Sequence, residues 1–185
     1  EQALTETVAM SDAWSEAEVE SALSAAIAKK AARGIPSTPP AGPDPDYPAI
    51  ELFAMIVGDS PSGRAHKRLV EAGLASAVYA EASAQADPGF ALFGAQLALG
   101  QDTRRATDEL VAVIEGVAAT PLTDEEVKRA QLKWLKNWEQ QFSNPEAVGL
   151  ALSESVAQGD WRLFFLFRDR IRALTHDDVQ RVVQS

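Results

Sequence analysis

The sequence predicts an α+β domain in which an antiparallel sheet packs against several helices. Most of its 185 residues lie in segments with the apolar spacing of helices. Two short apolar segments, residues 74–82 and 90–99, flank a connector with turn chemistry, which predicts a hairpin. Alternate residues of the second segment share one face: Ala91, Phe93, Ala95, Leu97 and Leu99. Because two strands do not form a stable sheet alone, either the N-terminal region supplies further strands or a segment outside this chain completes the sheet.

The first third of the chain divides at a proline-rich stretch. Ser15 caps a predicted helix, and Gly34 follows its basic last turn. Residues 35–45 contain five prolines in eleven positions, which excludes a helix or a central strand. We therefore expect a helical segment at 1–34, a linker or extended loop at 35–45, and a domain at 46–185.

This domain begins with a predicted helix at 47–57, and a turn then restarts the helical pattern. A short helix is predicted at 62–72. Ser60 is its expected cap, and Pro61 is expected at its start, because proline lacks an N–H and fits the first helical position. Gly73 is expected to end this helix in a left-handed conformation.

Beyond the hairpin, each segment carries an apolar stripe behind a helix-start signal. Thr123 and Glu126 have the spacing of a capping box, and Asn144 directly precedes a proline. The predicted helices begin at Asp102 or Thr103, Thr123, Asn144, Trp161 and Thr175.

Composition excludes several classes of function. The net charge of −10 argues against nucleic acid and anionic membranes as partners, since both bind clustered Lys and Arg. Cysteine is absent, which excludes disulfides and thiolate chemistry. No apolar stretch approaches the ~20 residues that span a bilayer. The chain begins without Met or a signal-peptide pattern, so we expect a mature or trimmed fragment.

Five sequence segments occur in a recognisable order. Residues 58–75, GDSPSGRAHKRLVEAGLA, are similar to the form GD-x-PSGRL-x-K-x-LVE-x-x-x-A, with Ala65 in place of its Leu, and residues 40–49, PAGPDPDYPA, have the form PAG-x-x-PDY-x-A. Residues 122–127, 159–160 and 174–179 complete the set. Together they resemble the non-catalytic domains of pitrilysin/insulinase-like zinc metallopeptidases. This resemblance implies that family's α+β fold from about residue 40 onward.

Catalysis in that family needs an inverted zinc motif, H-x-x-E-H, with a further glutamate downstream. The histidines of this chain are His66 and His176, and neither lies in that spacing. We therefore expect no catalytic, metal-binding or cofactor-binding residues and no activity from this chain alone. The resemblance implies zinc only on a catalytic domain elsewhere.

Family members also carry an Arg and a Tyr that hold substrate, in a stretch of the form L-R-E-x-x-G-L-A-Y. Here Val70 replaces the Arg and Ser76 replaces the Tyr, and Tyr79, three residues later, is not assigned that role. A strand usually precedes the PAG segment, whereas residues 29–35 here are largely basic and small. These departures favour a structural domain over one that clamps substrate.

Other chemistry-bearing residues each have a plainer interpretation. His176 beside two aspartates resembles a metal or acid–base site, but helix capping is favoured. His66 and its basic neighbours could grip a carboxylate, but a solvated helix face is favoured. Trp134 and Trp138 are expected in the core or at a domain interface. The run 163–167 is apolar on all sides, which favours an interface with another domain.

The leading hypothesis is a non-catalytic domain of a zinc metalloendopeptidase. It would help to enclose a peptide substrate and would dock on a zinc-bearing domain in the same polypeptide or in a partner chain. The alternative is a family-derived scaffold or assembly subunit without proteolytic activity. A third possibility, an unrelated helical binding module, predicts that no antiparallel sheet exists. The resemblance alone suggests a periplasmic location.

Overall fold

A computed structural model of the chain describes residues 39–184. The N-terminal segment 1–34 and residues 35–38 of the expected linker lie outside the described residues. The helices and strands, in chain order, are α1 Tyr47–Gly58, β1 Ala77–Ser83, β2 Phe90–Gln96, α2 Thr103–Glu115, α3 Asp124–Phe142, α4 Pro145–Ala157, α5 Leu163–Ala173 and α6 His176–Gln184. A π-helical turn, His66–Val70, follows α1, and a 3₁₀ turn, Gly116–Ala118, follows α2.

The hairpin confirms the predicted α+β class. Strands β1 and β2 are antiparallel, and Ala80 pairs with Phe93 at the centre of the ladder. One further bridge joins Ala41 to Pro88, just before β2 begins. This sheet rules out the unrelated all-helical module, which required that no sheet exist.

Helix α1 occupies the centre of the domain. Leu52, Ile56 and Val57 are buried, and the helix contacts β1, β2, α3, α5 and α6. Its last residue, Gly58, crosses β1 so closely that a Cβ there would lie 2.6 Å from the Cβ of Ala80. Helix α1 therefore joins the hairpin to the helical half of the domain. No helix within residues 39–184 is long and apolar enough to cross a membrane.

The predicted start of the short helix was wrong. Ser60 and Pro61 lie in a turn, and helical structure begins only at Arg64. The chain first folds back on Asp59, whose carbonyl accepts the Gly63 N–H at 2.8 Å. That extra turn uses the positions that had been assigned to the cap and the first helical residue. The predicted left-handed Gly73 is confirmed, with a φ of 70°.

Both predicted strands were too long. Leu74 belongs to the preceding turn, where its N–H donates to Leu69, so β1 begins at Ala77. Strand β2 ends at Gln96, and Leu99 lies beyond it with 94% of its surface exposed. The alternation of apolar residues in the sequence continues past the end of β2, because apolar residues also occupy the exposed loop that follows it.

The helix-start signals were more reliable. Asp102 accepts the Arg105 N–H, and Asn144 accepts N–H groups of the first turn of α4. Thr123 and Glu126 form the predicted capping box of α3. Helix α5 begins at Leu163 rather than at the predicted Trp161.

Gly63 is required by a close backbone approach. A Cβ at this position would lie 2.7 Å from both the Val57 carbonyl oxygen and the Asp59 nitrogen. We predict that Gly63→Ala lowers the free energy of unfolding by about 1–3 kcal/mol, the usual cost of overpacking. Denaturant titration measures this change.

Gly116 provides the matched control. Its φ is −69° and no heavy atom lies within 4 Å of a built Cβ, so alanine fits there. Gly116→Ala should leave stability unchanged or raise it by up to about 1 kcal/mol. Equal losses in the two variants would contradict the packing explanation.

Candidate functional site

The arginine of the signature turn is held in a four-bond clamp. Arg64 donates from Nε and Nη2 to the two carboxylate oxygens of Glu126, each at 2.7 Å. Two further N–H groups, on Nη1 and Nη2, donate to the carbonyls of Thr120 and Pro121, each at 2.8 Å. Both charged side chains are 16% exposed. Arg64 is therefore neither solvated nor free to bind a substrate carboxylate.

Glu126 serves two structures at once. The same carboxylate accepts the Thr123 N–H at 2.9 Å, which closes the capping box of α3. Burial alone would raise the pKa of Glu126, but hydrogen bonds from Arg64 and Thr123 outweigh it and lower the pKa to about 2. The most recognisable motif of the sequence thus fixes the start of a helix.

The two histidines lie in structural contacts. His176 has Nε2 2.7 Å from the Leu122 carbonyl and Nδ1 2.9 Å from the Asp177 carboxylate, and both contacts raise its pKa. It therefore ties α6 to the loop before α3. His66 lies 3.1 Å from the Ser60 hydroxyl. Within residues 39–184, no group of three or more metal-ligating side chains could hold a metal ion.

The two positions aligned with the family's substrate-holding residues serve the fold. Val70 packs against the core, and Ser76 donates from both N–H and hydroxyl to the Gln96 carbonyl. Tyr79 lies on β1 with its ring across Gly94, where a Cβ would collide with the ring. It is 52% exposed. Tyr79 is thus an exposed aromatic side chain whose ring lies over a cross-strand glycine.

Tyr79 belongs to the face of the hairpin opposite α1. Side chains of the other face pack into the core beneath α1, including Ala80 and Phe93. Strand alternation places Tyr79, Glu81, Phe90 and Leu92 together on the opposite side. Tyr79, Glu81 and Phe90 are exposed there. We call this surface, comprising these four residues, the outer face.

A second apolar surface lies where α3 ends and α5 begins. Its rings, which we call the aromatic patch, belong to Trp138, Phe142, Trp161, Phe164 and Phe165. Trp138 stacks on Phe142 at a centroid distance of 5.0 Å, and the Arg168 guanidinium lies 4.8 Å from the Trp138 ring centre. Phe142 and Trp161 are 49% and 54% exposed. Part of the predicted run 163–167 thus lies beside exposed rings.

The two tryptophans of α3 therefore have different surroundings. Trp134 contacts Phe167 at a centroid distance of 5.5 Å and borders the main core. Trp138 belongs to the aromatic patch, and its buried indole N–H has no hydrogen-bond partner among residues 39–184.

Glu51, a largely buried carboxyl on α1, does not stand out in the sequence. Burial raises its pKa, a hydrogen bond from the Trp134 indole lowers it and the charge of Glu81 raises it, with a net pKa of about 7. Tyr47, one turn earlier, is buried, and its hydroxyl has no partner among residues 39–184. A glutamate in an apolar stripe is the only sequence signal, and it does not reveal that α1 is covered on all sides.

The clamp predicts acid sensitivity. The pKa of Glu126 is lower in the folded state, so its contribution is fully present above its ordinary value of 4.5 and is lost as pH falls toward 2. Wild type should lose on the order of 3 kcal/mol more than Glu126→Gln over that range. Urea titrations at several pH values measure the difference. Arg68→Gln, which removes an exposed ion pair with Glu109, should change stability by less than about 1 kcal/mol.

Glu51 predicts the opposite trend. Its folded-state pKa is raised, so below pH 4.5 Glu51 does not change the free energy of unfolding. Stability is then lost as the pH rises from 4.5 through about 7. Glu51→Gln should therefore gain stability relative to wild type from pH 4.5 to 8, by on the order of 3 kcal/mol. Thermal unfolding across that range is the measurement, with the exposed Glu139→Gln as control. A constant difference at all pH values would contradict the burial explanation.

Comparison with known proteins agrees with these features. The sequence profile of the family described as "Peptidase M16 inactive domain" matches residues 35–133. The chain is 48% identical to the inactive peptidase domain of a candidate zinc protease from Bordetella parapertussis, with a TM-score of 0.75, covering 79% of this chain and 80% of that one. A candidate zinc protease from Bordetella pertussis Tohama I is 47% identical, with a TM-score of 0.74, 79% of this chain covered and 81% of that one.

A protease from Helicobacter pylori shares the fold at 19% identity and a TM-score of 0.72, covering 80% of this chain and 36% of that chain. No curated protein sequence matches the chain. The profile match spans more than half of the sequence, and the predicted family is thereby confirmed. The chain belongs to the Peptidase M16 inactive domain family.

Proposed function

We propose that this domain is a non-catalytic part of a zinc metalloendopeptidase. The domain helps to enclose the peptide substrate and docks on a zinc-bearing domain. The observation that carries the proposal is the outer face of the hairpin. One side of the two strands is buried under α1, while the other presents exposed Tyr79 and Phe90. In a domain of this family, such a surface suits the wall of a chamber.

The outer face has the chemistry to contact a peptide without cleaving it. Tyr79 offers an aromatic ring that lies over Gly94, and Phe90 and Leu92 add apolar surface. Glu81 supplies a negative charge beside them. These groups bind side chains and do not activate water, so a zinc ion on another domain would supply the chemistry.

The aromatic patch suits the contact with that zinc-bearing domain. Clustered aromatic side chains with an arginine stacked on them are typical of interface centres. Phe142 and Trp161 expose apolar surface that would be buried on docking. The predicted division into 1–34, a linker at 35–45 and a domain at 46–185 forms part of this proposal.

One observation favours the alternative, a scaffold subunit without proteolytic activity. Val70 and Ser76 lie at the positions where the family's substrate-holding Arg and Tyr are expected. Val70 packs against the core and Ser76 donates a hydrogen bond to the Gln96 carbonyl. A scaffold would still need the aromatic patch for assembly, but it would not use Tyr79.

A pull-down from the native source, followed by a peptide-cleavage assay with and without a chelator, separates the two functions. The proposal predicts a co-purifying protein with an H-x-x-E-H motif and cleavage that the chelator stops. A partner without that motif and without cleavage would establish the scaffold function instead.

Two substitutions should have separable effects in that assay. Tyr79→Ala should retain the partner and lower cleavage severalfold, whereas Tyr79→Phe should restore it because the ring remains. Trp161→Ala should reduce recovery of the partner itself. Leu99→Ala, in an exposed loop, serves as the control for both. Unchanged cleavage with Tyr79→Ala would remove the outer face from the proposal.

A further inference from the structure

The described part of the chain begins beside the connection between α4 and α5. A Cβ on Gly42 would collide with the side-chain oxygen of Gln158, the residue that follows α4. Arg170 of α5 donates to the carbonyl of the next residue at 2.8 Å. Trp161 of the aromatic patch follows Gln158 by three positions. Residues 1–38 therefore join the domain next to the segment that carries Trp161.

The linker is long enough to bring the predicted N-terminal helix to the aromatic patch. Gly42 lies eight positions after Gly34, which follows that helix. An extended chain spans about 3.3 Å per residue, so this stretch can cover about 25 Å. The three positions from Gln158 to Trp161 cover at most about 10 Å.

The predicted helix combines an apolar stripe with acidic charge. Val19, Leu23 and Ile27 recur at helical spacing and share one face. Residues 1–28 contain no Lys or Arg, and their six acidic residues are Glu1, Glu6, Asp12, Glu16, Glu18 and Glu20. Such a helix requires an apolar surface with basic surroundings.

The aromatic patch has these properties. Phe142 and Trp161 are half-exposed, and three arginines lie in or beside α5: Arg162, Arg168 and Arg172. Arg168 stacks on Trp138 of the patch, and the other two are exposed. Their described ion-pair partners are Asp160 and Asp169, so three positive charges face two negative ones.

The outer face is a poorer match for this segment. It carries Glu81 and no basic residue, so its charge repels an acidic helix. Tethering also favours the chain's own segment over a separate polypeptide at the aromatic patch. A short linker gives an effective concentration in the millimolar range, which a free partner of equal affinity does not reach.

We propose that residues 15–28 dock on the aromatic patch of their own chain, with Val19, Leu23 and Ile27 against the rings. The zinc-bearing domain must then displace this segment before it docks. The displacement step rests on the proposed function, whereas the contact itself concerns this chain alone.

A spin label tests the contact. Because the chain contains no cysteine, Ser24→Cys provides a single attachment site for a nitroxide beside the apolar stripe. In NMR spectra of the full chain, the label should weaken the indole N–H signals of Trp138 and Trp161 at least twofold. The Tyr79 amide on the outer face should keep its intensity.

Three results would overturn the contact. The first is no weakening, and the second is weakening centred on the hairpin. The third is weakening that a labelled molecule causes in a separate, unlabelled and isotope-enriched molecule, which would assign the contact to a second copy.

A matched pair of variants tests the displacement. Leu23→Asp and Ser21→Asp add the same charge on different faces of the predicted helix. Leu23→Asp should abolish the effect of the label and increase recovery of the zinc-bearing partner severalfold in the pull-down, whereas Ser21→Asp should change neither. Equal effects of the two variants, or unchanged recovery when the label effect is lost, would overturn the proposal.

The two readouts separate this proposal from the proposed function. If no zinc-bearing partner is recovered from any variant, the proposed function and the displacement step are both contradicted. The label effect would still decide whether residues 15–28 cover the aromatic patch, because that measurement needs only this chain.

Discussion

The Arg64 clamp is the interaction on which the relative placement of the elements depends. The guanidinium plane reaches two carboxylate oxygens and two carbonyls at 2.7–2.8 Å, a pattern that the single ammonium of lysine does not reproduce. It joins the turn after α1 to the start of α3, 62 positions later in the chain. Because α1 packs against both the hairpin and the helices, fixing its C-terminal turn also fixes the hairpin against the helical half. A largely buried charge pair of this kind is costly to break from one side, since the remaining charge loses its partner.

The clamp also explains how a family signature can be present without any chemistry of its own. Four of the five N–H groups of Arg64 donate within the domain, and Glu126 is ionised and accepts the Thr123 N–H of the capping box. His176 likewise has acceptors at both ring nitrogens. The polar residues that could carry chemistry in the sequence therefore form hydrogen bonds within the domain. What remains available for function is surface: the outer face and the aromatic patch.

The sequence predicted those features whose causes are local and missed those whose causes are distant. Thr123 and Glu126, or Asn144 and Pro145, act within one helical turn, so their spacing was sufficient to place α3 and α4. The partner of Arg64 is far away in the chain, and a capping-box glutamate gives no sign that it also binds an arginine. The restart at Ser60 and Pro61 is an exception, because its cause is local: the Asp59 carbonyl accepts the Gly63 N–H four residues later. Glu51 could not be recognised because its burial depends on how five other elements surround α1.

Within residues 39–184, the core is distributed around one helix. Most of the fully buried side chains belong to α1 or contact it, so apolar burial around that helix stabilises this part of the chain and the hairpin adds one covered face. The hairpin can therefore leave its second face uncovered by α1. A catalytic domain must position ligands rigidly around a metal, whereas a non-catalytic domain can use uncommitted surface to bind partners. The outer face is not needed to stabilise the core, and this is what makes it available for recognition.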